Sequence, residues 1–284
     1  MSKINWIDGK AIAAEVRANI KSDIATLDYR PCIAVVLVGR NPGSQIYVKN
    51  KKRVAAKLGM NAIVHYMDEG TSEDRLLSVI HTLNNDTSVH GILVQLPLPD
   101  HINTPHIIHA VSPEKDIDGL HPMNAGKLQS SIKGFVPCTP RGSLHLIKSV
   151  RNDLSGLDAL VIGRSVLVGR PMAQLLTNEN CTVTLAHSRT KDLAQLIKSA
   201  DIIVAAAGKP ELFKAKDAKD GAILIDVGIN RLEDGSLAGD IDTSDLPADK
   251  TLHITPVPGG VGPMTIAMLM QNTLDAAKLQ HESA

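Results

Sequence analysis

Aromatic side chains are scarce in this chain of 284 residues, which has one Trp, three Tyr and two Phe. So few rings cannot form the stacking platform on which single-stranded nucleic acids bind. A net positive charge is lacking as well, because 30 Lys and Arg residues balance 30 Asp and Glu residues. Duplex binding depends on a basic surface that displaces counterions. The composition therefore argues against a nucleic-acid partner.

Cysteine and long apolar runs are also lacking. Cys32, Cys138 and Cys181 lie far apart and form no C-x-x-C pair, so neither a disulfide framework nor a thiolate zinc site is indicated. This sparse, odd number fits a reducing compartment. No apolar run approaches the ~20 residues that cross a bilayer, and charged residues interrupt the N-terminal segment where a secretory signal would lie. We therefore expect a cytoplasmic protein without a membrane partner.

Short apolar runs recur along the chain, with helix-length segments between them. The runs cover residues 33–38, 91–96, 160–162, 182–186, 202–207 and 222–227, and a further strand is expected near 61–66. Because the runs are continuous rather than alternating, they are typical of parallel strands covered on both faces. Ile12, Val16, Ile20 and Ile24 repeat at every fourth position, as on one face of a helix. Strands alternating with helices predict βαβ units and the α/β fold class.

The pattern falls into two blocks, separated by residues 100–140, which are rich in Pro, His and Gly. A connection of that length is expected to carry function. We predict one α/β domain formed by residues 1–139 plus 264–284 and a second, Rossmann-type α/β domain formed by residues 140–263. The last apolar helix, predicted over 264–279, is expected to pack back on the first domain.

A glycine-rich turn follows the apolar segment 159–162. It runs Gly163-Arg-Ser-Val-Leu-Val-Gly169, and Pro171 suits the first turn of the following helix. Glycines let the backbone approach a diphosphate, and the N–H groups at a helix start attract anionic oxygens. The spacing is not G-x-G-x-x-G, so an ordinary βα turn is equally compatible with it. As a nucleotide site the turn would contribute Gly163, Arg164, Ser165, Val168 and Gly169.

The end of the next strand indicates which nucleotide would bind. NAD sites place an acidic residue there, which bonds the ribose 2′-hydroxyl. This chain has His187, Ser188 and Arg189 instead, and a hydroxyl and a guanidinium bind the 2′-phosphate that an acid would repel. The alternative is that Arg189 is a solvated charge and Ser188 caps the next helix. We favour NADP as the cofactor, with Ile229 on the nicotinamide side.

Five segments, the glycine-rich turn among them, stand out by their order and spacing. They are Val38-Gly-Arg-Asn-Pro-Gly-Ser-Gln-Ile-Tyr47 with Lys51, Val94-Gln-Leu-Pro-Leu-Pro99, Pro113-Glu-Lys-Asp-Ile-Asp-Gly119, Gly163-Arg-Ser165 and Pro258-Gly-Gly-Val-Gly-Pro-Met-Thr265. Each segment alone is weak evidence. Together they resemble the bifunctional methylenetetrahydrofolate dehydrogenase/methenyltetrahydrofolate cyclohydrolase family, over essentially the whole chain.

The resemblance implies two reactions at one site. A hydride passes from the methylene carbon of 5,10-methylenetetrahydrofolate to NADP, and water then opens the methenyl product to 10-formyltetrahydrofolate. It also implies that the first predicted domain binds folate and carries catalysis, that the second binds NADP, and that the protein is a homodimer.

Hydride loss needs no acid or base, because the folate nitrogens take up the positive charge, whereas hydration needs proton transfer. Tyr47 and Lys51 lie one helical turn apart, and hence on one face. The resemblance selects Lys51 as the general acid/base and places Tyr47 on the folate ring. From sequence alone, we would favour the alternative that Lys51 belongs to a solvated basic face with Lys49, Lys52 and Arg53.

Gln95 follows a predicted parallel strand, where open α/β sheets bind ligands. The resemblance implies that Gln95 positions Lys51 or the reacting carbonyl, and that Asp118 binds the amino and N–H groups of the pteridine. The alternative for Asp116 and Asp118 is a turn or a helix cap, and the Pro258–Pro263 loop could instead be a rigid hinge. The catalytic candidates are Lys51, Gln95, Asp118 and Tyr47. The implied substrate contacts are Tyr47, Lys51, Val94, Gln95, Leu96, Asp118, Pro258, Gly259, Gly260, Val261, Gly262, Pro263, Met264, Thr265 and Ile266.

Other functions receive less support. His101, His106, His109 and His121 lie close in sequence but without cysteines or paired carboxylates, so we interpret them as surface or structural residues and expect no metal. An NADP-dependent dehydrogenase for another small molecule would not need all four catalytic candidates together. A non-catalytic NADP-binding protein would have no use for a folate pocket. Folate binding separates both alternatives from the main hypothesis, and turnover separates the second from any enzyme.

Overall fold

The structure, a computed structural model, describes residues 3–282. Tertiary contacts divide the chain into two units. Unit 1 comprises Met1–Ala14 and Pro137–Thr265, and unit 2 comprises Glu15–Val136 and Ile266–Ala284. Residues 1–2 and 283–284, which the predicted first domain includes, lie outside the described residues.

The helices and strands alternate as the sequence predicts. The strands are β1 (Ile4–Trp6), β2 (Cys32–Val38), β3 (Asn61–Met67), β4 (Gly91–Val94), β5 (Asp158–Ile162), β6 (Thr182–Ala186), β7 (Ile202–Ala205), β8 (Phe213–Lys214), β9 (Ile223–Asp226), β10 (Asn230–Arg231), β11 (Leu237–Ala238), β12 (Ile241–Asp242) and β13 (Leu252–Ile254). The helices are α1 (Gly9–Ala25), α2 (Pro42–Leu58), α3 (Glu73–Asn85), α4 (Thr104–Ala110), α5 (Pro122–Gln129), α6 (Cys138–Val150), α7 (Gly169–Asn178), α8 (Leu193–Ser199) and α9 (Val261–Glu282). Among residues 3–282, no helix has both the length and the hydropathy that a membrane crossing requires.

Unit 1 contains a six-stranded parallel sheet in the order β1-β13-β9-β7-β5-β6. Strands β7 and β9 are buried along their whole length, as expected of strands covered on both faces. The chain enters the Rossmann-type part of this sheet at β5, continues to β6 on one side and then crosses to β7 on the other side. The two loops that leave β5 and β7 therefore diverge at the carboxyl edge, which creates a crevice there.

The division into units differs from the predicted domain boundaries at the N-terminus. Strand β1 pairs in parallel with β13, with Ile4 opposite Leu252 and Trp6 opposite Ile254. Residues 3–14 therefore group with the Rossmann-type segment. A three-residue edge strand is too short to show a periodic pattern, and nothing local in the sequence indicates its distant partner.

Unit 2 contains a three-stranded parallel sheet in the order β3-β2-β4. All seven residues of β2, the central strand, are buried. The part of α9 from Ile266 onward packs in this unit, where the Asn272 amide donates to the backbone oxygens of Ile117 at 2.7 Å and Val136 at 3.1 Å. The α/β fold class and the predicted packing of the C-terminal helix are thereby confirmed.

His90 contributes to the attachment of the C-terminal helix in unit 2. It is almost fully buried, and its Nδ1 accepts a hydrogen bond of 3.0 Å from the backbone N–H of Cys32. Its Nε2 lies 3.4 Å from Nε2 of His281, whose ring stacks on Tyr29. Burial lowers the pKa of His90, and the charges of His281 and Lys115 lower it further. Since Nδ1 must stay unprotonated to accept from Cys32, the fold favours neutral His90.

We predict that His90→Asn weakens the loss of stability at acidic pH. The pKa of an unfolded histidine is about 6.5. A histidine whose pKa is lower than this in the folded state stabilises the fold at higher pH, and this contribution is lost as the pH falls below the unfolded pKa. Asparagine keeps an acceptor oxygen for Cys32 but does not titrate. Urea unfolding at pH 7.5 and 5.5 measures the free energy of unfolding. Between these pH values it should decrease less in the variant than in the wild type. The exposed His109→Asn serves as the control; equal decreases in all three proteins would contradict the assignment.

Candidate active site

Helix α2 places Tyr47 and Lys51 on one face. The side chain of Asn41 caps the helix by accepting from the Ser44 N–H at 3.1 Å, and Pro42 occupies the first turn, where its missing donor costs nothing. Gly59 ends the helix in the left-handed conformation. With both ends fixed, Tyr47 and Lys51 lie one turn apart in the middle of a regular helix.

Gln95 joins Lys51 to the end of strand β4. The Gln95 backbone N–H donates to the Val36 oxygen at 2.9 Å, which holds the residue against β2. Its side-chain Nε2 donates to the Leu96 oxygen at 2.7 Å, so the amide oxygen Oε1 points the other way. Lys51 Nζ donates to this oxygen at 2.9 Å. The amide is therefore oriented at both ends, and it holds the ammonium group of Lys51 in place.

Burial separates Lys51 from its basic neighbours. Lys49, Lys52 and Arg53 are exposed, as a solvated basic face requires, whereas Lys51 is half-buried. Tyr47 is 47% exposed on the same face, so its ring is accessible to a ligand. The geometry thus distinguishes Lys51, which sequence alone could not.

The Asp116–Gly119 segment lies alongside β4. A parallel bridge joins Ile92 to Asp116, and the Ile92 N–H donates to the Lys115 oxygen at 2.7 Å. Buried Asp116 accepts from the backbone N–H groups of Leu120 at 3.2 Å and His121 at 2.8 Å. Asp116 thus has the turn-forming role considered for the two aspartates, and half-buried Asp118 lies within the segment that Asp116 holds.

In unit 1, the glycine-rich turn joins β5 to α7. A Cβ at Gly163 would lie 2.1 Å from the Ala206 oxygen, and one at Gly169 would lie 1.9 Å from the Gly163 oxygen. Neither position can accept a side chain, which leaves the backbone accessible to a diphosphate. The Ser165 hydroxyl accepts from the N–H of Val168 at 3.1 Å and orders the turn. Residues 164–167 are exposed at the crevice, so the turn fits a dinucleotide.

The turn after β6 presents Ser188 and Arg189. It is closed by a hydrogen bond of 2.8 Å from the Thr190 N–H to the His187 oxygen. Both Ser188 and Arg189 are exposed, and no ion pair within residues 3–282 engages the Arg189 guanidinium. Helix α8 has Asp192, not Ser188, at its N-cap position. The capping role considered for Ser188 is therefore not found. Ile229, the residue expected on the nicotinamide side, follows β9 and is 50% exposed.

Helix α9 begins three residues earlier than predicted, at Val261. Pro263 therefore lies within its first turn, which tolerates a residue without an N–H donor. Gly260, in the loop before α9, lies against the start of α1. A Cβ at Gly9 would lie 1.9 Å from the Gly260 oxygen, so the two backbones are in contact there. Thr265 Oγ1 lies 3.0 Å from Thr139 Oγ1. The predicted substrate contacts from Pro258 to Thr265 belong to unit 1, and the last one, Ile266, belongs to unit 2.

Three of the four histidines in residues 100–140 have structural partners. His106 pairs with Glu73 at 2.7 Å, His101 Nε2 lies 2.9 Å from the Thr71 oxygen, and His121 caps α5 by accepting from the Met123 N–H at 3.0 Å. Within the part of the chain that the structure describes, no three His, Cys, Asp or Glu residues come together as metal ligands.

Sequence reasoning missed the loop after β7 and the carboxylates beside it. Asp226 and Asp240 are almost fully buried in unit 1. Burial raises the pKa of Asp226 to about 6 against the opposing effect of backbone N–H donors, and the charge of Asp240 adds to the rise. The segment Ala206-Ala-Gly-Lys209 begins beside the glycine turn, where a Cβ at Gly163 would lie 2.1 Å from the Ala206 oxygen. Only the strand order identifies this loop, because its sequence carries no motif.

Comparisons with known proteins agree with this arrangement. The catalytic-domain model of tetrahydrofolate dehydrogenase/cyclohydrolase matches residues 7–118, and the NAD(P)-binding-domain model of the same family matches residues 137–281. The bifunctional protein FolD of Campylobacter concisus is 50% identical over 275 residues, which cover 96% of this chain and 97% of that protein.

Solved structures extend the comparison. The bifunctional FolD methylenetetrahydrofolate dehydrogenase/cyclohydrolase of Campylobacter jejuni is 47% identical with a TM-score of 0.94, covering 98% of this chain and 99% of that one. The Trypanosoma brucei methylenetetrahydrofolate dehydrogenase-cyclohydrolase, solved with NADP and an inhibitor, is 35% identical with a TM-score of 0.92 and the same coverage.

Proposed function

The chain belongs to the tetrahydrofolate dehydrogenase/cyclohydrolase family, and we propose that it oxidises 5,10-methylenetetrahydrofolate with NADP and then hydrolyses the methenyl product to 10-formyltetrahydrofolate. The hydrogen bond between Lys51 and Gln95 carries the proposal, because it holds a half-buried lysine at the carboxyl edge of a parallel sheet. The glycine turn of unit 1 supplies the matching dinucleotide site.

The first reaction needs little from acidic or basic side chains. The methylene carbon loses a hydride, and the adjacent folate nitrogens share the positive charge that remains. NADP, when bound, supplies the hydride acceptor. The protein contributes orientation of donor and acceptor carbons, which is worth a large part of such a barrier. Tyr47 packs on the folate ring, and Asp118 accepts from the amino and N–H groups of the pteridine.

The second reaction requires proton transfer, which we assign to Lys51. Water adds to the methenyl carbon and loses a proton, which leaves a neutral carbinol. A ring nitrogen then receives a proton as its bond to that carbon breaks, and the carbinol hydroxyl loses its proton as the formyl C=O bond forms. The bound cation lowers the pKa of a neighbouring lysine, so that Lys51 can lose and regain a proton near neutral pH. Gln95 holds Nζ towards the reacting carbon through Oε1.

A spectral time course with methylenetetrahydrofolate tests the function as a whole. With NADP, we expect NADPH to appear while the methenyl absorbance stays low, because hydrolysis follows oxidation at once. Folded protein that reduces neither NADP nor NAD would contradict the dehydrogenase. NADPH formation with methenyl persisting beyond its spontaneous hydrolysis would leave the dehydrogenase and remove the cyclohydrolase.

We predict that Lys51→Ala abolishes hydration while hydride transfer stays measurable. Loss of a general acid/base lowers a rate by about 10²- to 10⁴-fold, whereas oxidation involves no proton transfer by Lys51. Hydrolysis of supplied methenyltetrahydrofolate and formation of NADPH are measured separately. The exposed Lys52→Ala controls for the loss of one positive charge. An equal fall of both activities would instead give Lys51 a role in binding or folding.

We also predict that Arg189→Asp changes the cofactor preference. The exposed guanidinium lies at the end of β6, where the ribose 2′-phosphate of NADP is expected. Replacing it by a carboxylate removes a charge-assisted hydrogen bond and adds repulsion, so NADP affinity should fall by about tenfold or more while NAD affinity changes little. Lys191→Asp makes the same charge change two positions away and serves as the control. Equal losses for both nucleotides would rule out the assignment.

The protein is proposed to act as a cytoplasmic homodimer. Cys32, Cys138 and Cys181 are all buried, and such a sparse, odd number of cysteines suits a reducing compartment. Strand β6 is the last strand of its sheet, and within residues 3–282 no strand pairs with its outer side. Such an edge can pair with the same edge of a second copy. Light scattering in solution would give the mass of two chains; the mass of one would exclude the dimer.

A further inference from the structure

Two buried carboxylates lie at the carboxyl edge of the unit 1 sheet, outside the predicted site. Asp226 is the last residue of β9, and Asp240 immediately precedes β12; they are 4% and 0% exposed. No lysine or arginine pairs with either of them among the ion pairs of residues 3–282. Ionised carboxylates are costly to bury unless donors surround them, so their partners indicate why they are there.

Asp240 accepts four hydrogen bonds, three of them from consecutive residues of the loop after β7. Its Oδ2 accepts from the N–H groups of Ala207 at 2.6 Å and Gly208 at 2.9 Å. Its Oδ1 accepts from the Lys209 N–H and from the Asn230 side-chain amide, both at 3.0 Å. One side chain therefore fixes the backbone of residues 207–209 and ties it to the segment after β9.

Asp226 fixes Asp240 in turn. Its Oδ1 accepts from the N–H groups of Asp240 and Gly228, both at 2.9 Å, and its Oδ2 accepts from the Ile241 N–H at 2.8 Å. A Cβ at Gly228 would lie 2.2 Å from Oδ1 of Asp240. Backbone N–H groups therefore hold both carboxylates in place, and Gly228 has no room for a side chain beside Asp240.

The loop that Asp240 holds borders the dinucleotide crevice. The Ala206 N–H donates to the Ile162 oxygen at 2.8 Å, immediately before Gly163, and the Ala206 oxygen lies where a Cβ of Gly163 would be. The loop and the glycine turn leave adjacent strands at the point where the strand order reverses, which is where such sheets bind nucleotides. A displacement of residues 206–209 would therefore change the shape of the crevice.

We propose that Asp240 is a positioning residue for NADP, which holds the loop of residues 206–209 in the shape that admits the dinucleotide next to the Gly163 turn. This inference rests on the proposed use of NADP. Asp240 belongs to unit 1, whereas the proposed folate centre belongs to unit 2, so we expect its effect only on steps that need the nucleotide.

Asp240→Asn tests the proposal with almost no change in size. The amide replaces one acceptor by a donor, which then faces N–H groups that it cannot bond. We expect the dissociation constant of NADPH, measured by its fluorescence, and the KM for NADP to rise by about tenfold or more. Hydrolysis of supplied methenyltetrahydrofolate, which uses no nucleotide, should stay within about twofold. The amides of residues 207–209 should exchange hydrogen faster.

Asp220→Asn is the matched control. Asp220 also accepts from a backbone N–H, that of Thr251 at 2.7 Å, but it lies at the amino end of β9, away from the crevice. It should leave NADPH binding unchanged. If Asp240→Asn binds NADPH as the wild type does, or if hydrolysis falls in parallel with NADPH binding, the positioning role is wrong. Failure of the wild type itself to bind NADPH would instead remove the proposed cofactor, and this inference with it.

A second pair of variants decides the case if Asp240→Asn does not fold. Gly208 and Gly221 both have positive φ, +64° and +79°, and a Cβ at either position meets nothing within 4 Å. Changing each to Ala therefore imposes a similar backbone strain. Gly208→Ala moves the loop that Asp240 holds and should weaken NADPH binding by about tenfold; Gly221→Ala, before β9, should not. Equal NADPH affinities in the two variants would overturn the proposal.

Discussion

In both units, the strand order determines where the loops at the carboxyl edge of the sheet diverge and leave a crevice. In unit 2, β2 lies between β3 and β4, and in unit 1, β5 lies between β6 and β7. In each unit, the chain passes from the middle strand to a neighbour on one side and then crosses to the neighbour on the other side. The loops after β2 and β4 therefore turn away from each other, and so do the loops after β5 and β7. Each pair leaves a crevice at the carboxyl edge. Lys51 and Gln95 meet at one crevice, and Gly163 and Ala206 meet at the other.

The loops at these crevices are held by buried carboxylates that accept from the backbone. Asp116 does this in unit 2 for Leu120 and His121, and Asp240 does it in unit 1 for residues 207–209. A loop has no ladder of its own, so its N–H groups need another acceptor when they are buried. A carboxylate can serve several donors at once. Fixing the loop through its backbone leaves the loop's own side chains for a ligand.

The sequence predicted the elements that have strong local patterns. The buried runs of β2, β5 and β7 were visible as continuous aliphatic segments, and the glycine turn after β5 was visible as a motif. Strand β1 and Asp240 were not, because β1 pairs with residues about 250 positions away and Asp240 has donors from a loop more than 30 positions earlier. Lys51 was selected only by resemblance. Its burial and its bond to Gln95 depend on the packing of α2 on the sheet of unit 2, next to the end of β4, which no local pattern records.

The choice of glutamine at position 95 follows from what Lys51 is proposed to do. A carboxylate in that place would hold Nζ more strongly, but it would also favour the ammonium form and raise the lysine pKa, which opposes the loss of a proton near neutral pH. The neutral amide gives position without that charge. Because Nε2 is committed to the Leu96 oxygen, Oε1 stays directed at Nζ. The amide can thus hold the lysine in both of its protonation states, as a group that alternates between acid and base requires.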